Sequence, residues 1–236
     1  MTAFVAIYRL LLRTMATPGR LAAVGALAGV SVFTALIVHA NNPTDPLREG
    51  TGWVTANLSS LVAVGVLVFA VAALGDPQED GTLLYLWLRP VPSWIPVLAA
   101  WCATVTVTVP LVGLPVLLSA AVIHTDGGLL LGTSLSVLVS IFAYAAIFVM
   151  AGVRFRRALP WGLAYILIWE GFVASAGAGA ARLAVRTYAR SILAELSDVR
   201  IRHAGYSLGT GIVVPIIIAV VALTYASYRL ARTDVA

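Results

Sequence analysis

The chain has no lysine, one cysteine and few charged residues of any kind. A P-loop ATPase needs a lysine that reaches the β and γ phosphates, so the sequence cannot contain G-x-x-x-x-G-K-[ST], and a lysine Schiff base is excluded as well. Cys102 has no second cysteine with which to form a disulfide within the chain, and no H-E-x-x-H or C-x-x-C arrangement occurs. The three histidines lie far apart, without the spacing of metal ligands. The sequence therefore predicts no catalytic, metal or cofactor site within the chain.

Charged residues make up only 11% of the 236 residues, whereas hydrophobic residues make up 61%, and the mean hydropathy is +0.98. Soluble globular domains normally have about a quarter of their positions charged. A helix needs about 20 apolar residues to cross the hydrocarbon core of a bilayer, and the apolar runs here are continuous, whereas the strands of a barrel alternate. We therefore predict an all-α integral membrane protein. Its six spans lie at about residues 21–40, 53–74, 95–123, 129–153, 160–178 and 211–228.

The 15 arginines indicate how the chain is oriented. With the N-terminus in the cytoplasm, the segments on the inner side carry most of the arginines, while the first two outer loops carry only Arg48, which agrees with the positive-inside rule. The five arginines between residues 181 and 209 disagree with it. We predict both termini on the cytoplasmic side of a bacterial plasma membrane, and we read the net charge of +5 as a topological signal, so nucleic acid is not an expected partner.

The first 19 residues form an amphipathic pattern ahead of the first span. Phe4, Ile7, Leu11 and Met15 recur at helical spacing, and Pro18 with the following glycine interrupts the pattern. A signal peptide would carry its charges before a short apolar core. We therefore predict a helix that lies along the inner membrane surface.

A short stretch after the second span, Gly75 to Pro90, holds three carboxylates. Gly75 suits a helix end, Asp76 can cap a new helix, and Glu79 stands where a capping box places a carboxylate. We predict a cytoplasmic helix at residues 76–89, acidic at its start and apolar with aromatic residues in its body. Two interpretations remain open, since the acids either cap this helix or dock a partner.

The same stretch resembles a known family. The run Glu79-Asp80-Gly81-Thr82-Leu83, followed by Arg89-Pro90-Val91-Pro92, is similar to the E-x-G-T-L…P-V-S segment of ABC-2 type transporter permeases. Trp94 departs from the pattern, because a basic residue is common in the family just after that segment. The order of an interfacial helix, six spans and an outer segment before the last span resembles the family too.

The resemblance implies the fold and function of an ABC-2 (type V exporter-like) permease. The chain would be the membrane subunit of an exporter, coupled to an ATP-binding-cassette ATPase through a cytoplasmic coupling helix, with ATP and Mg on that partner and a second copy of the chain, or a homologous permease, beside it. The coupling residues carried over from the motif are Asp76, Glu79, Asp80, Gly81, Thr82 and Leu83. Substrates would be amphipathic small molecules, lipids, peptides or ions.

Residues 181–209 form a second amphipathic segment, predicted on the outer side. Apolar residues recur at helical spacing from Val185, and Arg182, Arg186 and Arg190 form a separate row four residues apart. In the resembled family, short helices here dip into the outer leaflet, which implies an outer gate at these arginines and Tyr188. Two alternatives are an interfacial helix whose arginines bind lipid phosphates, and a cytoplasmic segment that follows a re-entrant fifth run.

Glu170 lies near the middle of the fifth apolar run, where an unpaired carboxylate is costly. It either lines a translocation path, together with Asn57 and Ser60 of the second span, or makes a structural hydrogen bond to a neighbouring helix. Two other function classes remain open. A secondary transporter needs ion sites made from broken helices, and a membrane-embedded enzyme needs convergent catalytic groups, of which the spans offer one strong acid.

Overall fold

The computed structural model describes residues 2–79, 91–155, 157–173, 178–202 and 204–232. Of the described residues, 87% are helical and none lies in a strand. The α-helices in chain order are α1 (Thr2–Met15), α2 (Pro18–Ala40), α3 (Pro46–Asn57), α4 (Ala63–Glu79), α5 (Trp94–Thr108), α6 (Leu114–Ile123), α7 (Gly127–Arg154), α8 (Ala158–Ala164), α9 (Ala178–Ala181), α10 (Val185–Ser197) and α11 (Leu208–Arg232). Three π-helical stretches continue α3, α5 and α8, at Leu58–Val62, Val109–Gly113 and Tyr165–Val173.

Five of the helices in the described ranges are long and apolar enough to cross a membrane. They are Pro18–Ala40, Pro46–Gly75, Trp94–Ile123, Gly127–Arg154 and Leu208–Arg232. The prediction of an all-α chain with several membrane-crossing helices is confirmed in this respect. The fifth apolar run does not form one long α-helix, because α8 passes into the π-helical stretch Tyr165–Val173, after which residues 174–177 are not described. A sixth span therefore stays a prediction.

All five of these spans begin earlier than predicted, and side-chain N-caps explain two of the starts. The carboxylate of Asp45 accepts a hydrogen bond from the backbone N–H of Arg48 at 3.1 Å, so the second span starts at Pro46 instead of residue 53. The carboxylate of Asp126 likewise accepts from the N–H of Leu129 at 2.9 Å, ahead of α7. Each cap satisfies a backbone donor that the first turn of a helix would otherwise leave unpaired.

The second and fourth spans form the centre of the bundle. In their most apolar stretches, 78% and 72% of the residues are buried, whereas the value is 22% for the first and last spans. Fully buried side chains such as Leu67 and Phe69 of α4 and Phe148 of α7 fill this centre. The peripheral spans instead expose large apolar side chains, among them Phe33 of α2 and Val221 of α11, as expected of helices that face lipid.

The N-terminal amphipathic pattern forms helix α1, and its apolar stripe packs onto the bundle; its place along the inner membrane surface stays a prediction. Ile7, Leu11 and Met15 are buried, and the hydroxyl of Tyr8 donates a hydrogen bond to Oγ1 of Thr106 in α5 at 2.9 Å. Helix α1 ends at Met15, and α2 begins at Pro18. Helix α1 therefore lies against the third span.

The structure corrects the predicted helix end at Gly75. The backbone stays helical through Gly75 to Glu79, so Asp76 does not begin a separate helix. Gly75 instead lies where α4 crosses α7, because a β-carbon at Gly152 of α7 would lie 3.2 Å from the backbone nitrogen of Gly75. Small residues at a crossing let two backbones approach closely. The rest of the predicted coupling helix, residues 80–90, lies outside the described residues, as do the side chains of Asp76 and Glu79.

Candidate functional site

The candidate site is built around α10, which lies inside the bundle between α7 and α11. A β-carbon at Gly132 of α7 would meet side-chain atoms of Leu193 and Leu196 at 3.2 and 3.3 Å, and one at Gly211 of α11 would meet Ile192 at 2.8 Å. Val185, Ile192 and Leu193 are fully buried. A helix therefore forms within the predicted amphipathic segment, and its apolar face packs against protein on two sides.

The position of α10 along α7 follows from its two ends. The backbone N–H of its first residue, Val185, and the hydroxyl of Tyr144 both donate hydrogen bonds to the Glu170 carboxylate. Tyr144 is 17 positions after Gly127, the first residue of α7, and therefore lies about 26 Å along that helix at 1.5 Å per residue. Its other end, at Leu196, contacts Gly128. Helix α10 thus starts beside the middle of the fourth span and ends beside that span's first turn.

Glu170 is 1% exposed and accepts three hydrogen bonds from three different parts of the chain. The hydroxyl of Tyr144 donates to Oε2, and the hydroxyl of Tyr165 donates to Oε1 at 3.0 Å. The backbone N–H of Val185 also donates to Oε1, at 3.1 Å. The carboxylate therefore caps the N-terminus of α10, where the helix dipole and unpaired N–H groups stabilise a negative charge. Aromatic rings enclose the group, since Phe148 stacks on Tyr144 and meets Tyr165 edge-on.

Two of the three predicted gate arginines lie next to this carboxylate. Arg186 is only 8% exposed, and Arg190, one helical turn further, donates from Nη2 to the Ser59 hydroxyl of the second span at 3.0 Å. The Nε of Arg190 is buried and has no hydrogen-bond partner in the described part of the chain. Arg182 precedes α10 and is exposed, so it does not continue the row. The predicted single row of three arginines is in this respect wrong.

Arg186 is close enough to Glu170 for its charge to act on the carboxylate, yet the two form no ion pair. Among the residues that the structure describes, Arg186 makes no hydrogen bond at all. An arginine carries five N–H donors, and burying an unpaired charge is costly. The site therefore contains one carboxylate that already accepts three hydrogen bonds and two guanidinium groups that have unused N–H donors.

Tyr188, the fourth predicted gate residue, is 6% exposed and has a local partner. Its hydroxyl donates to the backbone carbonyl of Arg182 at 2.6 Å, and its ring stacks on Tyr206 with the ring centres 5.1 Å apart. These contacts tie the start of α10 to the segment that leads into α11.

The predicted path residues of the second span are not gathered at this site. Asn57 is 5% exposed, accepts a hydrogen bond from the Ser31 hydroxyl at 2.7 Å and donates to the carbonyl of Trp53 at 3.0 Å. Ser119 of α6 lies 3.3 Å from Ser31, so this cluster joins the first three spans. Ser60 is exposed and donates to a carbonyl of its own helix.

Sequence reasoning missed the partners of Glu170 and the role of Ser59. Tyr144 and Tyr165 are ordinary aromatic residues in apolar runs, and nothing in their spacing indicates a shared carboxylate. A tyrosine within a span is nevertheless a hydrogen-bond donor that needs an acceptor, and Glu170 is the one acidic residue in the middle of a run. That pairing could have been found.

No group of three or more His, Cys, Asp or Glu residues that could hold a metal occurs among the described residues. In comparisons with known proteins, no protein-family model and no curated protein matches the chain.

Proposed function

We propose that this chain is the membrane-spanning permease subunit of an ABC exporter of the ABC-2 type. It crosses the membrane six times with both termini in the cytoplasm, and the broken segment formed by α8, the Tyr165–Val173 stretch and α10 supplies the crossing between the fourth and last spans. Two such subunits, identical or homologous, surround a path, and each binds an ATP-binding-cassette ATPase that hydrolyses ATP with Mg. The expected location is a bacterial plasma membrane.

The observation that carries the proposal is the position of α10. The resembled family has short helices in the outer leaflet just before the last span, and in this chain a 13-residue helix at that place packs between α7 and α11. The helix α1 packed on the third span, and the sequence motif from Glu79 to Leu83 that follows the second span, also support it.

The coupling step is proposed for the segment after Gly75. The helix of the second span continues past its crossing with α7 at Gly152, so a force on the acidic end would be carried directly into a central helix of the bundle. ATP shifts the equilibrium between inward-open and outward-open states only if it binds one of them more tightly. Closure of the two ATPases around ATP supplies that difference.

The test is copurification of an ATP-binding-cassette ATPase with the chain from native membranes, comparing wild type with Glu79→Arg and Gly81→Trp. The matched control is Glu49→Arg, an exposed acidic residue near the opposite end of the same continuous helix. We expect the first two variants to lose the ATPase while they remain folded and monodisperse, and the control to retain it. If all three retain the ATPase and its stimulated activity, the acids after Gly75 do not dock the ATPase and the proposed coupling step is refuted.

A second candidate is an ATP-independent secondary transporter, and one observation favours it. Such transporters bind substrate and ions at broken helices whose half-helix ends point at charged groups, and here the N-terminus of α10 meets the buried carboxylate of Glu170. The purified chain alone, in liposomes with an imposed pH gradient, would then dissipate the gradient, and Glu170→Gln would not. A chain that is inactive alone but active with an ATPase supports the exporter.

A further inference from the structure

The charges beside α10 do not balance. Glu170 contributes one negative charge, and its oxygens are occupied by two tyrosine hydroxyls and the Val185 N–H. Arg186 and Arg190 contribute two positive charges one helical turn apart, in positions that are buried or half-buried. Within the described ranges, one guanidinium therefore has no counter-charge. In a low-dielectric interior such a charge is costly until an anion accompanies it.

The unused donors of these two side chains lie on one face of α10. Arg190 reaches Ser59 of the second span with Nη2, while its buried Nε has no partner. Arg186 stands four residues earlier, on the same face, and its guanidinium makes no hydrogen bond to the described residues. A phosphate or carboxylate accepts two parallel hydrogen bonds from a guanidinium, and the dipole at the start of α10 favours the same charge.

We propose that Arg186 and Arg190 bind the anionic headgroup, a phosphate or a carboxylate, of an amphiphile. The hydrocarbon tail is part of the proposal because the ligand must reach a group enclosed by apolar helices. The side of α10 that carries Arg190 meets the second span, whose mean hydropathy is 2.4 in its most apolar stretch, so a tail that accompanies the headgroup is buried against apolar surface. The source is either a transported molecule or a lipid of the bilayer, and both have the same chemistry at the arginines.

The test measures binding to the chain alone, without an ATPase, in phosphatidylcholine nanodiscs. The probe is dodecyl phosphate, compared with dodecyl maltoside, dodecyltrimethylammonium and inorganic phosphate. We expect dodecyl phosphate to bind and the neutral and cationic amphiphiles to bind at least about tenfold more weakly, the size of a charge-assisted hydrogen bond. Equal binding of all three amphiphiles, or of inorganic phosphate alone, overturns the proposal.

Variants locate the site. Arg186→Met and Arg190→Met remove the charge and keep an unbranched side chain, and each should weaken dodecyl phosphate binding about tenfold while binding of dodecyl maltoside is unchanged. Arg200→Met is the matched control, since Arg200 is exposed and lies beyond the C-terminal end of α10. An equal loss in the control, or no loss in either site variant, refutes the assignment. If a variant does not fold, the comparison of probes on the wild-type chain still decides the proposal.

A second set of nanodiscs distinguishes the two sources. Phosphatidylglycerol mixed into the phosphatidylcholine competes with dodecyl phosphate if the site holds a bilayer lipid, and leaves its binding unchanged if the site selects a molecule with a single tail. Both results require anion binding at Arg186 and Arg190. The experiment is independent of ATPase copurification, so the anion site and the exporter proposal can fail separately.

Discussion

Replacing Tyr144 with phenylalanine removes one hydroxyl from the centre of the bundle and keeps the ring that stacks on Phe148. The change leaves the Glu170 carboxylate with two of its three donors, Tyr165 and the Val185 N–H. Because both side chains are buried, water cannot replace the lost donor without entering the core.

The expected cost follows from two magnitudes. A hydrogen bond to a charged group contributes about 1.5–3 kcal/mol in proteins. Measured side-chain hydrogen bonds between membrane helices average only about 0.6 kcal/mol, with a maximum near 1.7, because the unfolded chain in the membrane also finds partners. A buried carboxylate with three donors belongs at the upper end of the membrane range. We expect Tyr144→Phe to lower the free energy of unfolding by about 1.5 kcal/mol.

The assay is unfolding in mixed micelles with increasing dodecyl sulfate, followed by tryptophan fluorescence and circular dichroism. Tyr225→Phe, an exposed tyrosine of α11, is the control and should stay within about 0.5 kcal/mol of wild type. A double-mutant cycle with Glu170→Gln isolates the pair. A Tyr144→Phe variant as stable as the control, or effects that add with no coupling to Glu170→Gln, would show that the carboxylate and the hydroxyl do not interact.

Two further predictions concern packing and the polar cluster of the first three spans. Gly128→Ala should destabilise the chain by about 1–3 kcal/mol, because a β-carbon there would overlap a carbonyl oxygen of α10. The neighbouring Gly127→Ala is the control and should not destabilise the chain, because a β-carbon at Gly127 would meet open space. Equal unfolding midpoints for the two variants would contradict this reasoning. Asn57→Ala removes the acceptor of the buried Ser31 hydroxyl and should lower the free energy of unfolding by about 1–3 kcal/mol. Ser60→Ala changes an exposed residue and should lower it by about 0.5 kcal/mol or less, and the same unfolding assay measures both variants.

Hydropathy alone was sufficient to locate the long helices, because a membrane-spanning helix is defined by its apolar length and little else. Local capping chemistry explains where two of them start, and Asp45 and Asp126 could have been recognised from the sequence as caps. Pro110 lies in the π-helical stretch Val109–Gly113 and has no backbone N–H to donate within a helix. Each of these features is determined by residues close together in the sequence.

The candidate site could not be predicted in the same way, because it depends on which faces of separate helices meet. Glu170 and Tyr144 are 26 positions apart, and Arg190 and Ser59 are 131 apart. The amphipathic pattern of α10 indicates a helix with one apolar face, but an apolar face packs equally well on lipid or on protein. What decides between them is the pair of glycines at Gly132 and Gly211, whose effect appears only once α7 and α11 are placed beside α10.

The π-helical stretches change the phase of the helices that contain them. A π-helical turn accommodates one additional residue, so every side chain beyond it is rotated by about 100° relative to an uninterrupted α-helix. A helical wheel drawn straight through the second span therefore mislabels the lipid-facing side on one side of Leu58–Val62, and the same holds across Val109–Gly113 in the third span. A cysteine-accessibility scan along either span should show a helical period on both sides and a jump of one residue between them.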